Sequence, residues 1–138
     1  MGKNDIQELI EQTLQIRDYA YAPYSDYPVG ALAVTEDGKY FFGCNVENVS
    51  YPAGSCAERN AIAAAIAAGN KNFAFIIIAG DLKHPTYPCG ICRQVMAEFQ
   101  IPYVIIAKAN KQCEKIALEE LLPHSFTAAL VKNIRSYK

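Results

Sequence analysis

Three cysteines and one glutamate are the residues of this sequence whose types and spacing best suit chemistry. Glu58 follows Cys56 by two residues. Cys89 and Cys92 form a Cys-x-x-Cys pair that begins 33 residues after Cys56. Zinc with three protein ligands keeps its fourth coordination position for water, which distinguishes catalytic from structural zinc, and a nearby carboxylate can handle that water's protons. The spacing therefore predicts one zinc ion per chain and metal-assisted hydrolysis.

The cysteines are predicted to lie at the start of two helices, over residues 56–68 and 89–99. A helix N-terminus offers free N–H groups and partial positive charge, and both favour the thiolate form that binds metal. Three thiolates leave a zinc centre with net negative charge. Arg59 lies on the same helix face as Cys56, so we predict that its side chain hydrogen-bonds the sulfurs and offsets their charge from outside the ligand set.

Two other interpretations of the cysteines stay open at this point. A structural zinc site usually has four protein ligands, and Cys44 or Cys113 could supply the fourth, although a packing role is the favoured interpretation of both. The Cys-x-x-Cys pair alone could also be a redox pair, but a redox motif does not require the distant Cys-x-Glu segment. His84 and His124 are predicted to be surface loop residues.

Composition favours one folded domain spanning residues 1–138. Hydrophobic residues make up 51% of the chain, which argues against disorder, and the formal net charge of −1 lacks the basic excess of nucleic-acid binders. No apolar run is long enough to cross a bilayer, and the first residues lack a signal-peptide pattern. The odd cysteine count argues against a disulfide framework. We therefore expect a cytoplasmic protein with no nucleic-acid or membrane partner.

The order of predicted elements indicates an α/β sandwich that positions the two cysteine segments. Hydrophobic periodicity and turn residues predict helices and strands in this order: helix 5–21, strands 29–35 and 40–44, helix 56–68, strand 73–79, helix 89–99, strands 103–107 and 111–116, a helical turn at 118–122 and a terminal helix over 127–137. Right-handed crossovers would make strands 73–79 and 103–107 parallel. We expect a mixed sheet of about five strands between helices.

Motifs beyond the cysteine segments resemble those of the cytidine deaminases, specifically the small homotetrameric class with three cysteine ligands. The similar segments occur in order between residues 5 and 126, at 22–31, 43–48, 56–59, 88–94 and 120–126. Cysteine ligands and a non-ligand glutamate are general features of zinc deaminases. The resemblance implies a three-layer α/β/α fold, a homotetramer, and hydrolytic deamination of free cytidine and 2′-deoxycytidine in pyrimidine salvage, with release of ammonia.

The resemblance also implies roles for residues that would contact the base and the sugar of the substrate. Glu58 would bind N3 of the pyrimidine and shuttle protons beside the zinc held by the three cysteines. Asn45 and Glu47 would hydrogen-bond the ribose 3′-hydroxyl, and the backbone around Ser55 and Ala57 would contact the base. The bland alternative is that Asn45 and Glu47 are simply loop residues that satisfy backbone groups.

Three aromatic residues are implied to complete the site. Tyr27 and Phe126 would pack on the ring, with Phe126 supplied by a neighbouring subunit, and Tyr51 would likewise help to complete a neighbour's site. The bland alternative is that Tyr27 and Phe126 are core or interface residues. The family usually has Phe where this chain has Tyr27, and the additional hydroxyl needs a partner if it is buried.

Rival functions are a related deaminase and a binding module with structural zinc. A deaminase acting on an RNA base would need a basic surface. One acting on a nucleoside analogue such as blasticidin S would keep the zinc motifs and change the sugar-binding loop. The segment from Asn45 to Asn48 argues against both deaminase rivals, and a fourth protein ligand on the zinc would support the binding module.

Overall fold

A mixed five-stranded sheet forms the centre of the protein. The structure is a computed structural model that describes residues 3–136. Its strands are β1 (Gly30–Thr35), β2 (Tyr40–Cys44), β3 (Phe73–Ala79), β4 (Tyr103–Ala107) and β5 (Cys113–Ala117). They lie in the order β2-β1-β3-β4-β5. As predicted, β3 and β4 pair in parallel, while the other neighbouring strands pair antiparallel.

Helices connect and cover these strands. They are α1 (Lys3–Arg17), α2 (Ala57–Ala67), α3 (Gly90–Glu98), α4 (Leu118–Leu121) and α5 (Ala128–Ser136), with a 3₁₀ turn at Tyr51–Ala53. None of the helices within residues 3–136 is both long and apolar enough to span a membrane. The last residue of the predicted terminal helix, position 137, lies outside the described residues.

Three predicted boundaries were wrong by two residues or more. The first helix begins at Lys3 rather than at residue 5, and its end and the start of the last strand also differ from the prediction. The first helix ends at Arg17 rather than near residue 21, because the backbone N–H of Tyr21 donates to the carbonyl of Asn45, 3.0 Å away. The last strand begins at Cys113 rather than at residue 111, because Asn110 and Lys111 have φ values of 60° and 58° and form a turn. The bond between Tyr21 and Asn45 joins distant parts of the chain, so no local sequence pattern encodes it.

The helices lie on both faces of the sheet, which confirms the three-layer α/β/α architecture. On β1, Ala31 and Ala33 pack in the core cluster that includes residues of α2 and α3. The intervening Leu32 and Val34 face the opposite cluster, which includes residues of α1. This alternation is what a strand buried on both faces requires, since successive side chains point in opposite directions.

Helix α2 packs very closely on β2, and this contact positions the candidate site. A Cβ atom on Gly43 would lie 2.5 Å from the carbonyl oxygen of Ala57 and 2.5 Å from the amide nitrogen of Ala61. Any larger side chain at this position would therefore push the helix away from the sheet. The contact involves the first turn of α2, so it sets where that turn begins relative to the strands.

Candidate active site

Two helix N-termini bring the three predicted zinc ligands together. Cys56 is the N-cap of α2 and Cys89 is the N-cap of α3, and both have extended backbone angles. Cys92 lies in the first turn of α3 and is fully buried. The three Sγ atoms all lie within 4.8 Å of one another, and this is the one such group of potential ligands that residues 3–136 contain.

The spacing of the thiols fits zinc. Two sulfurs that are each 2.3 Å from a tetrahedral zinc lie about 3.8 Å apart. The Sγ atoms of Cys56 and Cys89 are 3.8 Å apart. In addition, the backbone N–H of Cys92 donates to the Cys89 sulfur over 3.5 Å, which favours a negatively charged sulfur there. An all-cysteine donor set of this geometry suits zinc.

The two remaining cysteines do not join the cluster. Cys44 ends β2 and is half-buried, and Cys113 begins the edge strand β5 and is exposed. Neither belongs to the group of close ligand atoms. Cys113 therefore lacks the packing role expected for it, and the structural-zinc interpretation finds no fourth ligand in either residue. His84 is exposed and its Nδ1 lies 3.2 Å from Asp81, as expected of a surface loop residue.

Arg59 lies where the sequence predicts it, beside a ligand sulfur. Its Nη2 donates to the Sγ of Cys56 over 3.5 Å. The pKa of Cys56 is lowered to about 5, mainly by a hydrogen bond with the Cys92 thiol. Burial opposes this decrease, and Arg59 adds to it. The hydrogen bond to Cys56 in turn raises the pKa of Arg59. The cluster is thus charged negative at Cys56 and compensated by an adjacent guanidinium.

Glu58 is the buried acid of the site. It is the second residue of α2 and is only 4% exposed. Burial is the main reason that its pKa rises to about 7, and the charge of Cys56 adds to the effect. A carboxyl group with this pKa exchanges protons readily near neutral pH, as a general acid–base catalyst must.

Most of the predicted site residues line one cleft of about 290 Å³. Those present are the following: Tyr27, Asn45, Glu47, Cys56, Ala57, Glu58 and Cys89. The sequence analysis missed three hydroxyl-bearing residues of the same cleft, Ser25, Thr86 and Tyr87. Thr86 and Tyr87 directly precede Pro88 and Cys89, where the second cysteine segment begins. Their position beside a predicted zinc ligand was the signal that could have identified them as cleft residues. Ser25 belongs to the segment 22–31 that carried part of the family resemblance.

Asn45 connects the two loops at the mouth of the cleft. Its Oδ1 accepts the backbone N–H of Val29 at 2.8 Å, and its Nδ2 donates to the carbonyl of Tyr27 at 2.9 Å. These bonds match the bland interpretation, in which the side chain satisfies backbone groups. The amide still has one N–H and one lone pair for a ligand, because each of its two polar atoms makes a single bond here.

Glu47 joins the same two loops through hydrogen bonds to its carboxylate. Its Oε1 accepts the backbone N–H groups of Tyr24 and Ser25 at 2.9 and 3.1 Å, and its Oε2 accepts the Ser25 hydroxyl. The Ser25 hydroxyl is the main cause of a lowered pKa at Glu47, so this carboxylate is charged at neutral pH. A carboxylate can accept about four hydrogen bonds, which leaves room for a ligand hydroxyl.

Tyr51 and Phe126 do not reach the cleft of their own chain. Tyr51 is 75% exposed and packs edge-on against Tyr24, with ring centroids 5.9 Å apart. Phe126 is 62% exposed, and its carbonyl accepts the side-chain amide of Gln94 at 2.8 Å. Both rings are therefore largely exposed on the surface of the chain.

Comparison with known proteins defines the class to which this fold and site belong. Residues 3–108 match the family described as the cytidine and deoxycytidylate deaminase zinc-binding region, and the chain belongs to that family. This confirms the resemblance that the motifs indicated. Zinc is the metal of the family, and the three-thiol cluster fits it.

Individual relatives match over most of their length. The chain is 42% identical to the cytidine deaminase of Halalkalibacterium halodurans, over 90% of this chain and 96% of that protein. It is 39% identical to the cytidine deaminase of Sporosarcina psychrophila, over 89% of this chain and 92% of that protein. The crystal structure of cytidine deaminase from Burkholderia pseudomallei superposes with a TM-score of 0.80 at 46% identity, covering 86% of this chain and 97% of that one.

Proposed function

We propose that this protein catalyses hydrolytic deamination of free cytidine and 2′-deoxycytidine to uridine and 2′-deoxyuridine, with release of ammonia. The observation that carries this function is the buried Glu58 beside three thiols whose spacing fits zinc, with Glu58, Cys56 and Cys89 lining one cleft. The names of the relatives support the choice of substrate. A single deaminase domain over residues 1–138 is part of the proposal, and the one continuous sheet supports it.

Cys56, Cys89 and Cys92 are the proposed zinc ligands. When bound there, zinc acts as a Lewis acid that lowers the pKa of water and so supplies the nucleophile at neutral pH. Arg59 helps the Cys92 thiol to keep the Cys56 sulfur ionised, because its guanidinium donates to that atom. The N-terminal ends of α2 and α3 contribute partial positive charge to the same sulfurs.

Glu58 moves both protons of the reaction. It accepts a proton from the attacking water and donates it to N3 of the base as the C4–O bond forms. It then transfers the remaining proton of that oxygen to the amine, the C4–N bond breaks, and ammonia leaves. The raised pKa of Glu58, about 7, supports this double use, since the group must accept and donate within one cycle.

The remaining cleft residues are proposed to bind the nucleoside. The backbone at Ala57 lies beside Glu58 and contacts the base, while Tyr27 packs on the ring. Asn45 and Glu47 hydrogen-bond the ribose 3′-hydroxyl with the bonding capacity that their loop contacts leave free. The charge on Glu47 disfavours a 3′-phosphate, so free nucleosides are the substrates rather than polynucleotides.

A homotetramer in which Tyr51 and Phe126 complete neighbouring sites is the finer part of the proposal. Large apolar side chains exposed on one chain support it, because such surface marks interaction sites. Val49, Tyr51, Ile91 and Phe126 are each at least 62% exposed. A cytoplasmic location and a role in pyrimidine salvage belong to the same proposal, and the relatives' names support the nucleoside chemistry on which they depend.

The test follows the ultraviolet absorbance of cytidine in the presence of purified protein. We expect absorbance to fall as uridine forms, an equal amount of ammonia to be released, and both signals to be lost after zinc removal and restored by added zinc. An oligonucleotide that contains cytosine should react far more slowly than cytidine. Absence of turnover by protein shown to contain zinc would refute the proposed function.

A further inference from the structure

The cleft has a polar feature that the proposed function does not use, a pair of hydroxyls formed by Tyr27 and Thr86. The two oxygens lie 2.5 Å apart, although the residues are 59 positions apart in the chain. Tyr27 ends the loop before β1, and Thr86 lies in the loop between β3 and α3, three residues before the ligand Cys89. Both line the cleft that contains Glu58. The pair therefore joins two walls of the candidate active site.

Both members of the pair are held in place by other contacts. The backbone N–H of Tyr27 donates to the Ser25 hydroxyl at 3.1 Å, and its carbonyl accepts the Asn45 side chain at 2.9 Å. The Thr86 hydroxyl accepts the backbone N–H of Asp81 at 3.2 Å. It also packs against Gly80, where an added Cβ atom would lie 2.1 Å from the Thr86 oxygen. The hydroxyls are thus positioned before a ligand arrives, which favours selective binding.

Among the hydroxyl groups of the cleft, counting donors identifies this pair as the one with capacity for a ligand. Four hydroxyl side chains line the cleft, and each carries one O–H donor. Ser25 donates to the Glu47 carboxylate, and Tyr87 donates to Glu114 over 2.8 Å. Two O–H groups in Tyr27 and Thr86 make one bond between them. Among residues 3–136 neither hydroxyl has a further acceptor, so one O–H remains for a ligand whichever oxygen donates within the pair.

The location of the pair indicates what that ligand group is, because Tyr27 is bonded to the residues proposed to bind the sugar. Its carbonyl accepts the Asn45 side chain, and its N–H donates to the Ser25 hydroxyl, which itself donates to Glu47. Glu58 and the thiols set the end of the cleft where the amine-bearing edge of the base reacts, and Asn45 and Glu47 mark the sugar end. Glu47 is acceptor-only and already accepts three bonds from Tyr24 and Ser25 of the loop before β1. A sugar hydroxyl oxygen can also accept a hydrogen bond, and the Glu47 carboxylate cannot donate one. A neutral O–H group in the same cleft can supply that donor.

We infer that the Tyr27–Thr86 hydroxyl pair is a specificity determinant that donates a hydrogen bond to one sugar hydroxyl of the nucleoside. This inference rests on the proposed deaminase function. It means that the protein selects the nucleoside that carries this hydroxyl over the corresponding deoxy analogue. A hydroxyl that loses its hydrogen-bond partner when the deoxy analogue binds is the physical source of such selection.

The test measures kcat/KM of the parent protein and of Tyr27→Phe on cytidine, 2′-deoxycytidine, 3′-deoxycytidine and 5′-deoxycytidine. We expect the substitution to lower kcat/KM for cytidine about three- to ten-fold, mainly through KM, as loss of one hydrogen bond does. For the one analogue that lacks the contacted hydroxyl, the substitution should change kcat/KM less than two-fold, by the logic of a double-mutant cycle.

Three variants separate this effect from a structural one. Thr86→Val should reproduce the substrate pattern of Tyr27→Phe, and Thr86→Ser, which keeps the hydroxyl, should preserve the parent pattern. Tyr19→Phe removes a hydroxyl from a tyrosine that is 78% exposed and outside the cleft, so it should change nothing. Thermal melting of each variant reports any loss of folding separately from the substrate pattern.

The possible results are distinct. An equal fold-loss on all four nucleosides, or no loss on any, would overturn the hydroxyl-pair inference and leave the deaminase function intact. A parent protein that contains zinc and deaminates none of the four would overturn both. The inference would be supported if Tyr27→Phe lowers kcat/KM on every nucleoside except one deoxy analogue, which identifies the contacted hydroxyl. Thr86→Val should show the same pattern, and Thr86→Ser should not.

Discussion

The thiol cluster proposed to bind zinc and the loops proposed to bind the sugar meet at one cleft, but they are built in opposite ways. The cluster lies on helix N-termini that pack against the sheet, with Cys92 fully buried and Gly43 fixing α2 on β2. The loops over residues 22–28 and 45–50 are mostly exposed and are held by side chains that bond backbone groups, chiefly Asn45 and Glu47. Helices packed on the sheet carry the proposed reacting groups, and exposed loops held by their hydrogen bonds carry the residues proposed to bind the sugar.

This comparison predicts that substitutions in the first region affect chemistry and metal, whereas substitutions in the second affect substrate binding. The largest effect is expected for Glu58→Gln, which keeps the shape of the side chain and removes its ability to transfer protons. We expect kcat to fall by about 10³- to 10⁴-fold, with zinc content and melting temperature little changed.

The control for this variant is Glu98→Gln, an exposed glutamate at the end of α3, outside the cleft. It should retain the full rate in the same spectrophotometric assay. A Glu58→Gln protein with a kcat within ten-fold of the parent would remove Glu58 from the mechanism.

Arg59→Gln tests how the cluster holds its metal. Without the guanidinium beside Cys56, the charge of the thiolates is no longer offset, so we expect zinc affinity to fall about 10- to 100-fold. Competition with a chromophoric chelator measures the change. Lys71→Gln removes a positive charge from an exposed position away from the cluster and is the matched control. Unaltered zinc retention and unaltered turnover in Arg59→Gln would show that the outer-shell role is wrong.

Glu47→Gln tests the loop region and should act on KM rather than on the metal. The amide is a weaker acceptor for the N–H groups of Tyr24 and Ser25, so we expect KM for cytidine to rise about ten-fold with zinc content unchanged. The same variant should tolerate cytidine 3′-monophosphate better relative to cytidine, because the repelling charge is gone. A lowered zinc content, or the same relative rate on the 3′-phosphate as in the parent, would break the distinction between the two regions.

The smallest effect is expected for Cys44→Ser and Cys113→Ser. Neither cysteine belongs to the close thiol group, so both variants should bind one zinc per chain and keep kcat within about two-fold of the parent. Zinc analysis by mass spectrometry of the native protein provides the comparison. Loss of zinc in either variant would favour the structural-zinc interpretation.

The two regions also differ in how far the sequence predicts them. Cysteine spacing and helix capping are local properties, so the ligands, the helices that carry them and the five strands followed from the residues alone. The bonds of the loops join residues far apart, such as Tyr27 with Thr86 and Tyr21 with Asn45, and no local pattern specifies them. Roles for Tyr51 and Phe126 depend on a second chain, so a single sequence supplies them only through the family resemblance.

The most direct test of the central claim is zinc K-edge X-ray absorption on the purified, active protein. The account predicts one zinc per chain with three sulfur neighbours at about 2.3 Å and one lighter oxygen neighbour, as in a catalytic site with an open position. Four sulfur neighbours, or a folded and active protein that contains no metal, would contradict it.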